Sequence, residues 1–388
     1  MLPGGPCVRP TYPNERWNPG PTGERPSCRT AHPVGGCVAE HGALCRPADD
    51  AVAAGSSGDH RRREPYQHAP AVPASRAELP ALRPAAPSWP APIDVVHFTD
   101  VYLGVHARRF DAARVTTVHD TMPAEYATWR RGGARWRVVY KRSLRLLDRS
   151  DLVITPSEHT RRELLKARPL PPERVQTVGI HVPGEISPPI PGTVREPATI
   201  LSIGTTAPYK NLPLLLHALA RPELRGAKLV RVGYPFDEDL PALVRTLGLQ
   251  ERVVELGGVT DERLLSLLRS CTVLAQPSLD EGFGMPVAEA MAAGLPVVCS
   301  DGGALPEVAG SGARIVPFRK LRKGPPDLDD ARDFAAALAE VLGSAQLQQS
   351  LAAAGLREVA RYSAGTIRSQ LFSAYGRAMD FARARTGA

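Results

Sequence analysis

An α/β protein built on doubly wound parallel sheets is the fold class this sequence predicts, on three observations. From Ile93 onward, short apolar runs alternate with amphipathic stretches. A proline-rich passage, Ile186-Ser-Pro-Pro-Ile-Pro-Gly, divides that alternation and reads as a linker between two domains. Loops holding glycine follow several of the apolar runs, where an open α/β sheet presents its ligand crevice.

The elements follow in order. Residues 1–92 hold 17 of the 39 prolines and no Ile, Phe or Lys, so they offer little apolar surface against chain entropy and are expected to be disordered. Asp94-Val-Val-His-Phe, Arg114-Val-Thr-Thr-Val-His and Leu152-Val-Ile-Thr read as strands, with a basic helix over about Arg135 to Leu147. Beyond the linker, strands are expected at 198–203, 228–232, 253–256, 272–275, 296–299 and 313–316. Helices are expected at 211–219, 238–247, 261–269, 285–293 and 304–308, and further helices end the chain. The last, about 364–384, carries Arg377, Arg383 and Arg385 and is positioned to pack back on the first domain. The divisions are 1–92, 93–190, 191–365 and 366–388. At 388 residues the chain has room for two domains of roughly 150 residues each.

A formal charge of +8 and a pI near 9.4 point to acidic partners: nucleotide phosphates, anionic lipid or nucleic acid. No recognised nucleic-acid-binding module is present, which disfavours the last. There is no run of 18 apolar residues, and Met1-Leu-Pro-Gly-Gly-Pro-Cys lacks the apolar core of a signal peptide, so a cytoplasmic location is expected, with peripheral contact at the inner membrane face. Cys271 and Cys299 read as small buried hydrophobes. Cys7, Cys28, Cys37 and Cys45, with His32 and His41 nearby, match no zinc spacing, and no metal site is expected.

The most informative segment is Asp280-Glu-Gly-Phe-Gly-Met-Pro-Val-Ala-Glu289. Gly282 and Gly284 let backbone come close to a ligand. The helix starting near Met285 aims unpaired N–H groups and its positive dipole end at the same loop, where an anion such as phosphate is favoured. Glu281 before the helix and Glu289 one turn into it are spaced to reach a polyol beside that phosphate. Upstream, Gly204-Thr205-Thr-Ala-Pro-Tyr209-Lys210-Asn ends a strand and brings a lysine to the head of the next helix, a common way to hold a pyrophosphate. No Gly-x-Gly-x-x-Gly follows a strand, which argues against an NAD-dependent dehydrogenase.

These two segments together resemble the group 1, or family 4, retaining glycosyltransferases. The resemblance covers roughly 93–365 and implies the GT-B fold, two Rossmann-like domains facing across a cleft. By that resemblance Glu281 contacts the donor sugar and Glu289 the nucleotide ribose. Gly204, Thr205 and the amides of Gly282, Phe283, Gly284 and Met285 lie along the sugar and phosphates. Lys210 neutralises the diphosphate, and Val259 marks the backbone that holds the base. His119, after the strand at 114–119, binds the transferred sugar, so His119, Lys210 and Glu281 are the catalytic candidates. Family members often carry arginine where this chain has Tyr209. Ser157 in Thr155-Pro-Ser157-Glu-His-Thr160 is expected to cap a helix, with Arg161 or Arg162 toward the cleft, and Glu307 to support the loop Ser300-Asp-Gly-Gly.

The implied reaction moves a hexose, mannose or glucose, from GDP-mannose or a UDP-sugar to a glycan or lipid-linked acceptor with retention. No cofactor or metal is expected, because no Asp-x-Asp stands at a strand end to hold diphosphate. Eight Arg or Lys at 129–149, interleaved with Trp129, Trp136 and Tyr140, would suit an anionic membrane surface. The first domain looks incomplete, since residues 1–92 offer no glycine-loop strand. The alternative is therefore a truncated homologue that binds a sugar nucleotide as a scaffold without turning it over.

Overall fold

The computed structural model describes residues 28–30, 93–125, 133–188, 194–236, 239–319 and 325–387. Two parallel sheets carry these residues. The first holds β1 (Cys28–Thr30), β2 (Val95–Phe98), β3 (Ala113–Thr117), β4 (Leu152–Thr155) and β5 (Val175–Thr177), side by side in chain order. Its helices are α1 (Met122–Glu125), α2 (Gly133–Leu144) and α3 (Glu158–Ala167). Apolar β residues buried on both faces fit a parallel sheet covered by helices. Val115, Leu152 and Ile154 pack on one face, and Val153 packs with Leu147 and Leu164 on the other.

The second sheet contains β6 (Thr199–Gly204), β7 (Lys228–Gly233), β8 (Val253–Glu255), β9 (Val273–Gln276), β10 (Val297–Ser300) and β11 (Ala313–Val316). They lie in the order β11-β10-β9-β6-β7-β8, every neighbouring pair parallel. Its helices are α4 (Leu212–Leu219), α5 (Asp239–Thr246), α6 (Asp261–Ser270), α7 (Met285–Ala292) and α8 (Leu305–Ala309). Leucines of α4 fill one face with Ile200, Leu229 and Val273. The small residues of α7 let it lie close on the other face, against Leu274, Val297 and Cys299. Strand order reverses between β6 and β9, so the loops leaving these two strands part and open a crevice at the switch point.

Three helices complete the described chain: α9 (Leu328–Gly343), α10 (Ala345–Val359) and α11 (Ala364–Thr386). As expected, α11 returns to the first sheet, burying Ala374, Tyr375 and Ala378 against Val95, Val115 and Ile154. Arg377 donates to Gln176, and Arg385 pairs with the buried Asp151 at 2.8 Å. His97 on β2 binds Tyr375 of α11 and Thr117 of β3, and burial, with a lesser push from the His119 charge, lowers its pKa to about 4. Cys271 and Cys299 are buried as expected, and burial pushes both thiols up to about 12.

Cys28–Thr30 pairs in parallel with Val95–His97, an edge strand that the proline-rich composition around it did not announce. Cys-Arg-Thr is too short to show an alternation. The rest of 1–92, with its expected disorder and its remaining cysteines, lies outside the described residues, as do Trp129, Arg130 and Arg131.

Candidate donor site at the switch point

β6 ends on Gly204, whose φ of 140° is open to glycine and strained for other residues. The chain then turns through Thr205, whose hydroxyl accepts from the Ala207 N–H, into a tight helical turn at Pro208–Lys210. Asn211, at φ 54°, begins α4. Lys210 folds back over the strand end, its Nζ 3.7 Å from where a Cβ on Gly204 would stand. Tyr209 lays its ring 5.4 Å from the same ammonium, and its carbonyl accepts from the Leu279 N–H at 2.7 Å. That bond joins the β6 loop to the β9 loop across the switch point.

Glu281, in the β9 loop, is only 5% exposed. Its Oε1 accepts from Lys210 Nζ, Gln276 Nε2 and Ser278 Oγ, each at 2.7 Å, and its Oε2 lies 3.0 Å from the lysine. Burial alone would raise its pKa. The Lys210 charge and the donors from Lys210, Ser278 and Gln276 outweigh that, and the carboxyl sits below its ordinary value. The carboxylate form of Glu281 is therefore favoured, and it balances the Lys210 charge. Both residues are brought together as the sequence implied, but their charges are spent on each other.

The loop continues through Gly282, Phe283 and Gly284 into α7. Gly284, at φ 99°, precedes the helix, and Pro286 in the first turn has no N–H to satisfy. Phe283 turns its ring inward to meet Tyr362 edge-on at 4.9 Å, so only its backbone faces the crevice side of the loop. Among the described residues, the amides of Gly282, Phe283, Gly284 and Met285 have no acceptor. Glu289 lies one turn into α7, and among the described residues its carboxylate has no hydrogen-bond partner. Burial, with a smaller push from the Asp261 carboxylate, raises it to about 7. Asp261 opens α6 directly after Val259 and the capping Thr260, so the β8 loop and Glu289 face one another.

The first domain closes against this loop. His119 is exposed, with Nε2 2.8 Å from the Thr99 carbonyl oxygen, and its own carbonyl is so near Gly282 that a Cβ there would stand 2.4 Å away. The Gly282 carbonyl accepts from Ser157 Oγ at 2.6 Å and Thr160 Oγ1 at 2.9 Å. Ser157 also caps α3, accepting from the Thr160 N–H. His159 Nε2 lies 3.0 Å from Asp280 Oδ1.

One sequence expectation changes. Glu307 does not brace the Ser300-Asp-Gly-Gly loop; it accepts from the Glu158 and His159 N–H groups at 2.8 and 3.1 Å, an anion at the N-terminus of α3 across the cleft. Of Arg161 and Arg162, Arg161 donates to the carbonyls of Val175 and Pro172, acceptors offered at the start of β5. Sequence reasoning missed Gln276 and Ser278, which hold Glu281, and it missed Arg231. Arg231, the fourth residue of β7, is buried beside Gly204, and its placement among Leu229, Val230 and Val232 was the only signal available.

Comparison with known proteins bears on the fold and the family. A model of group 1 glycosyl transferases matches residues 185–357, and a model of glycosyltransferase family 4 matches residues 40–180. The chain is 30% identical to the MMP alpha-(1->4)-mannosyltransferase of Mycolicibacterium hassiacum, over 63% of this chain and 58% of that one. It is 29% identical to the O-antigen chain mannosyltransferase B of Escherichia coli, over 67% and 69%. Among solved structures, sucrose-phosphate synthase from Thermosynechococcus elongatus superposes with a TM-score of 0.61 at 20% identity, covering 74% and 73% of the two chains. The Anabaena HepE protein, in complex with UDP and glucose, superposes at 0.60 with 20% identity, covering 72% and 77%.

Proposed function

The chain belongs to the group 1, family 4 glycosyltransferases, and on that premise we propose that it moves a hexose, with mannose first in order, from a nucleoside diphosphate sugar to a glycan or lipid-linked hydroxyl with retention of configuration. The observation that carries this reading is the switch-point loop: among the described residues, four amides at the start of α7 have no acceptor and Glu289, one turn further on, has no hydrogen-bond partner. Amides at a helix start suit the diphosphate. A carboxylate without a donor suits the ribose diol. The β8 loop at Val259 suits the base, and His119, whose backbone abuts Gly282, suits the transferred sugar.

Chemically, the bond from C1 to the diphosphate oxygen breaks while the acceptor oxygen bonds to C1 from the same face. The acceptor's proton passes to the departing phosphate, so no enzymic nucleophile is required. Charge grows on the leaving group, and the loop amides and the α7 dipole are preorganised for it. Glu281 acts by holding Lys210 rigidly, so that its ammonium needs no reorientation in the transition state. The reaction needs no metal on this account and persists in chelator.

Incubating the protein with GDP-mannose, UDP-glucose and related donors, and following sugar release or transfer, tests the proposal. Turnover that Glu281→Ala abolishes supports it; donor binding without turnover supports the scaffold reading instead. The acceptor side carries one further proposal. Residues 134–139 of α2 are exposed, among them Arg135, Trp136 and Arg137, with Trp136 at 52%. A cationic helix with an exposed indole favours anionic lipid. Co-sedimentation with vesicles containing phosphatidylglycerol, but not with phosphatidylcholine alone, is expected, and Trp136→Ala should weaken it. No helix among the described residues is long and apolar enough to cross a membrane.

A further inference from the structure

Arg231 is the largest fully buried side chain of the described residues, at 1% exposure, and it has no carboxylate within ion-pair distance among them. Glu255 opposite it on β8 is exposed and accepts from the Phe236 N–H; its charge acts on the guanidinium only from beyond contact, and burial outweighs it, lowering the Arg231 pKa to about 10. The guanidinium donates to backbone only: Nη2 to the Gly204 carbonyl at 2.6 Å and Nη1 to the Val232 carbonyl. Its Nε is buried without a partner. Gly233 makes the arrangement possible, since a Cβ there would stand 1.8 Å from the Gly204 oxygen and 2.7 Å from Nη1.

A buried cation with no carboxylate in contact is costly, and an apolar residue of similar volume would ordinarily serve the core better. The charge distribution around Gly204 suggests what it does. Lys210 and Arg231 flank this one residue, the first over its Cα and the second on its carbonyl. Lys210 is cancelled by Glu281, and Tyr209 brings no charge. Arg231 alone of these leaves a positive charge at the end of β6.

We propose that Arg231 is a positioning residue whose charge, unpaired at contact distance and fixed under Gly204, makes the donor site select a diphosphate over a monophosphate. The inference rests on the donor reading given above. It assigns Arg231 no contact with the ligand; the charge acts through the strand end and across a short, poorly solvated distance.

The test measures binding of GDP and GMP, and of UDP and UMP, to the unaltered protein, Arg231→Met and Arg231→Lys, alongside their thermal midpoints. The unaltered protein is expected to prefer the diphosphate by about tenfold or more, as one full charge at short range allows. Arg231→Met should lose most of that preference, shift monophosphate binding less than about threefold, and melt no lower than the parent. Arg231→Lys should keep the preference. Should Arg231→Met not fold, Arg231→Gln, which retains a donor but no charge, is read in the same way. A neutral variant that melts lower yet keeps the diphosphate preference would overturn the inference and make Arg231 a strut. Absence of any diphosphate binding by the unaltered protein would overturn the donor reading, and this inference with it.

Discussion

Replacing Glu289 with glutamine should stabilise the protein without ligand above neutral pH while weakening its hold on the donor. The folded-state pKa of Glu289 is raised from 4.5 to about 7, first by burial and then by Asp261. A carboxyl raised on folding contributes stability that is fully present below about pH 4.5 and is lost as pH climbs through about 7. Above pH 7 the parent therefore carries a penalty that glutamine, which never ionises, does not. At 1.36 kcal/mol per unit the ceiling is about 3 kcal/mol, and the solvent reaching this partly exposed side chain brings it to about 1–2 kcal/mol. For a domain of this size that corresponds to about 3–6 °C in the thermal midpoint. Circular dichroism melts of parent and Glu289→Gln should agree at pH 4.5 and separate at pH 8, the variant melting higher. Equal melts at pH 8, or a variant less stable at both values, would refute the reasoning. The same variant should bind nucleoside diphosphate at least about tenfold more weakly at pH 8, the pattern of a site kept for function at the expense of stability.

Three other perturbations follow from the same geometry. Lys210→Met leaves the Glu281 carboxylate buried with only neutral donors, and urea unfolding at pH 7 should show a loss of about 3–5 kcal/mol, much of it restored by adding Glu281→Gln. Gly282→Ala places a Cβ 2.4 Å from the His119 oxygen and 2.8 Å from Asp120 Cβ, so the loop and the first domain must part; a loss of about 1–3 kcal/mol and a fall in turnover are expected. Glu307→Gln removes the anion at the α3 N-terminus, which should lower stability by about 1 kcal/mol and raise KM for the donor more than it lowers kcat.

Much of this architecture is written locally, and that part was legible. Every strand of the second sheet stands within a residue or two of where the apolar runs place it, because parallel strands buried on both faces are continuous apolar segments. The loops at Gly204 and Gly282–Gly284 announced themselves through glycine, and Lys210 and Glu281 through their place at strand ends. β1 and β5 were not foreseen, since Cys-Arg-Thr and Val-Gln-Thr hold no apolar run, whereas β8, as short and also at an edge, opens on two valines. The contacts that join the domains were equally silent. Glu307 reaching the α3 amides and Ser157 gripping the Gly282 carbonyl connect residues 149 and 125 positions apart, and nothing near either partner encodes the other. Arg231 escaped because one arginine in an apolar strand keeps the strand pattern intact. Its meaning depends on which neighbours lack a negative charge. The Lys210–Glu281 pair shows the same limit: both residues were singled out, but only the fold reveals that they neutralise one another.

Diffraction from crystals soaked with GDP or UDP tests the central claim most directly. The account predicts the diphosphate on the amides of Gly282 to Met285 beside Lys210, with the ribose hydroxyls on Glu289 and the base along Val259. A nucleotide bound away from the β6–β9 switch point, or one that leaves Glu289 without a partner, would contradict it.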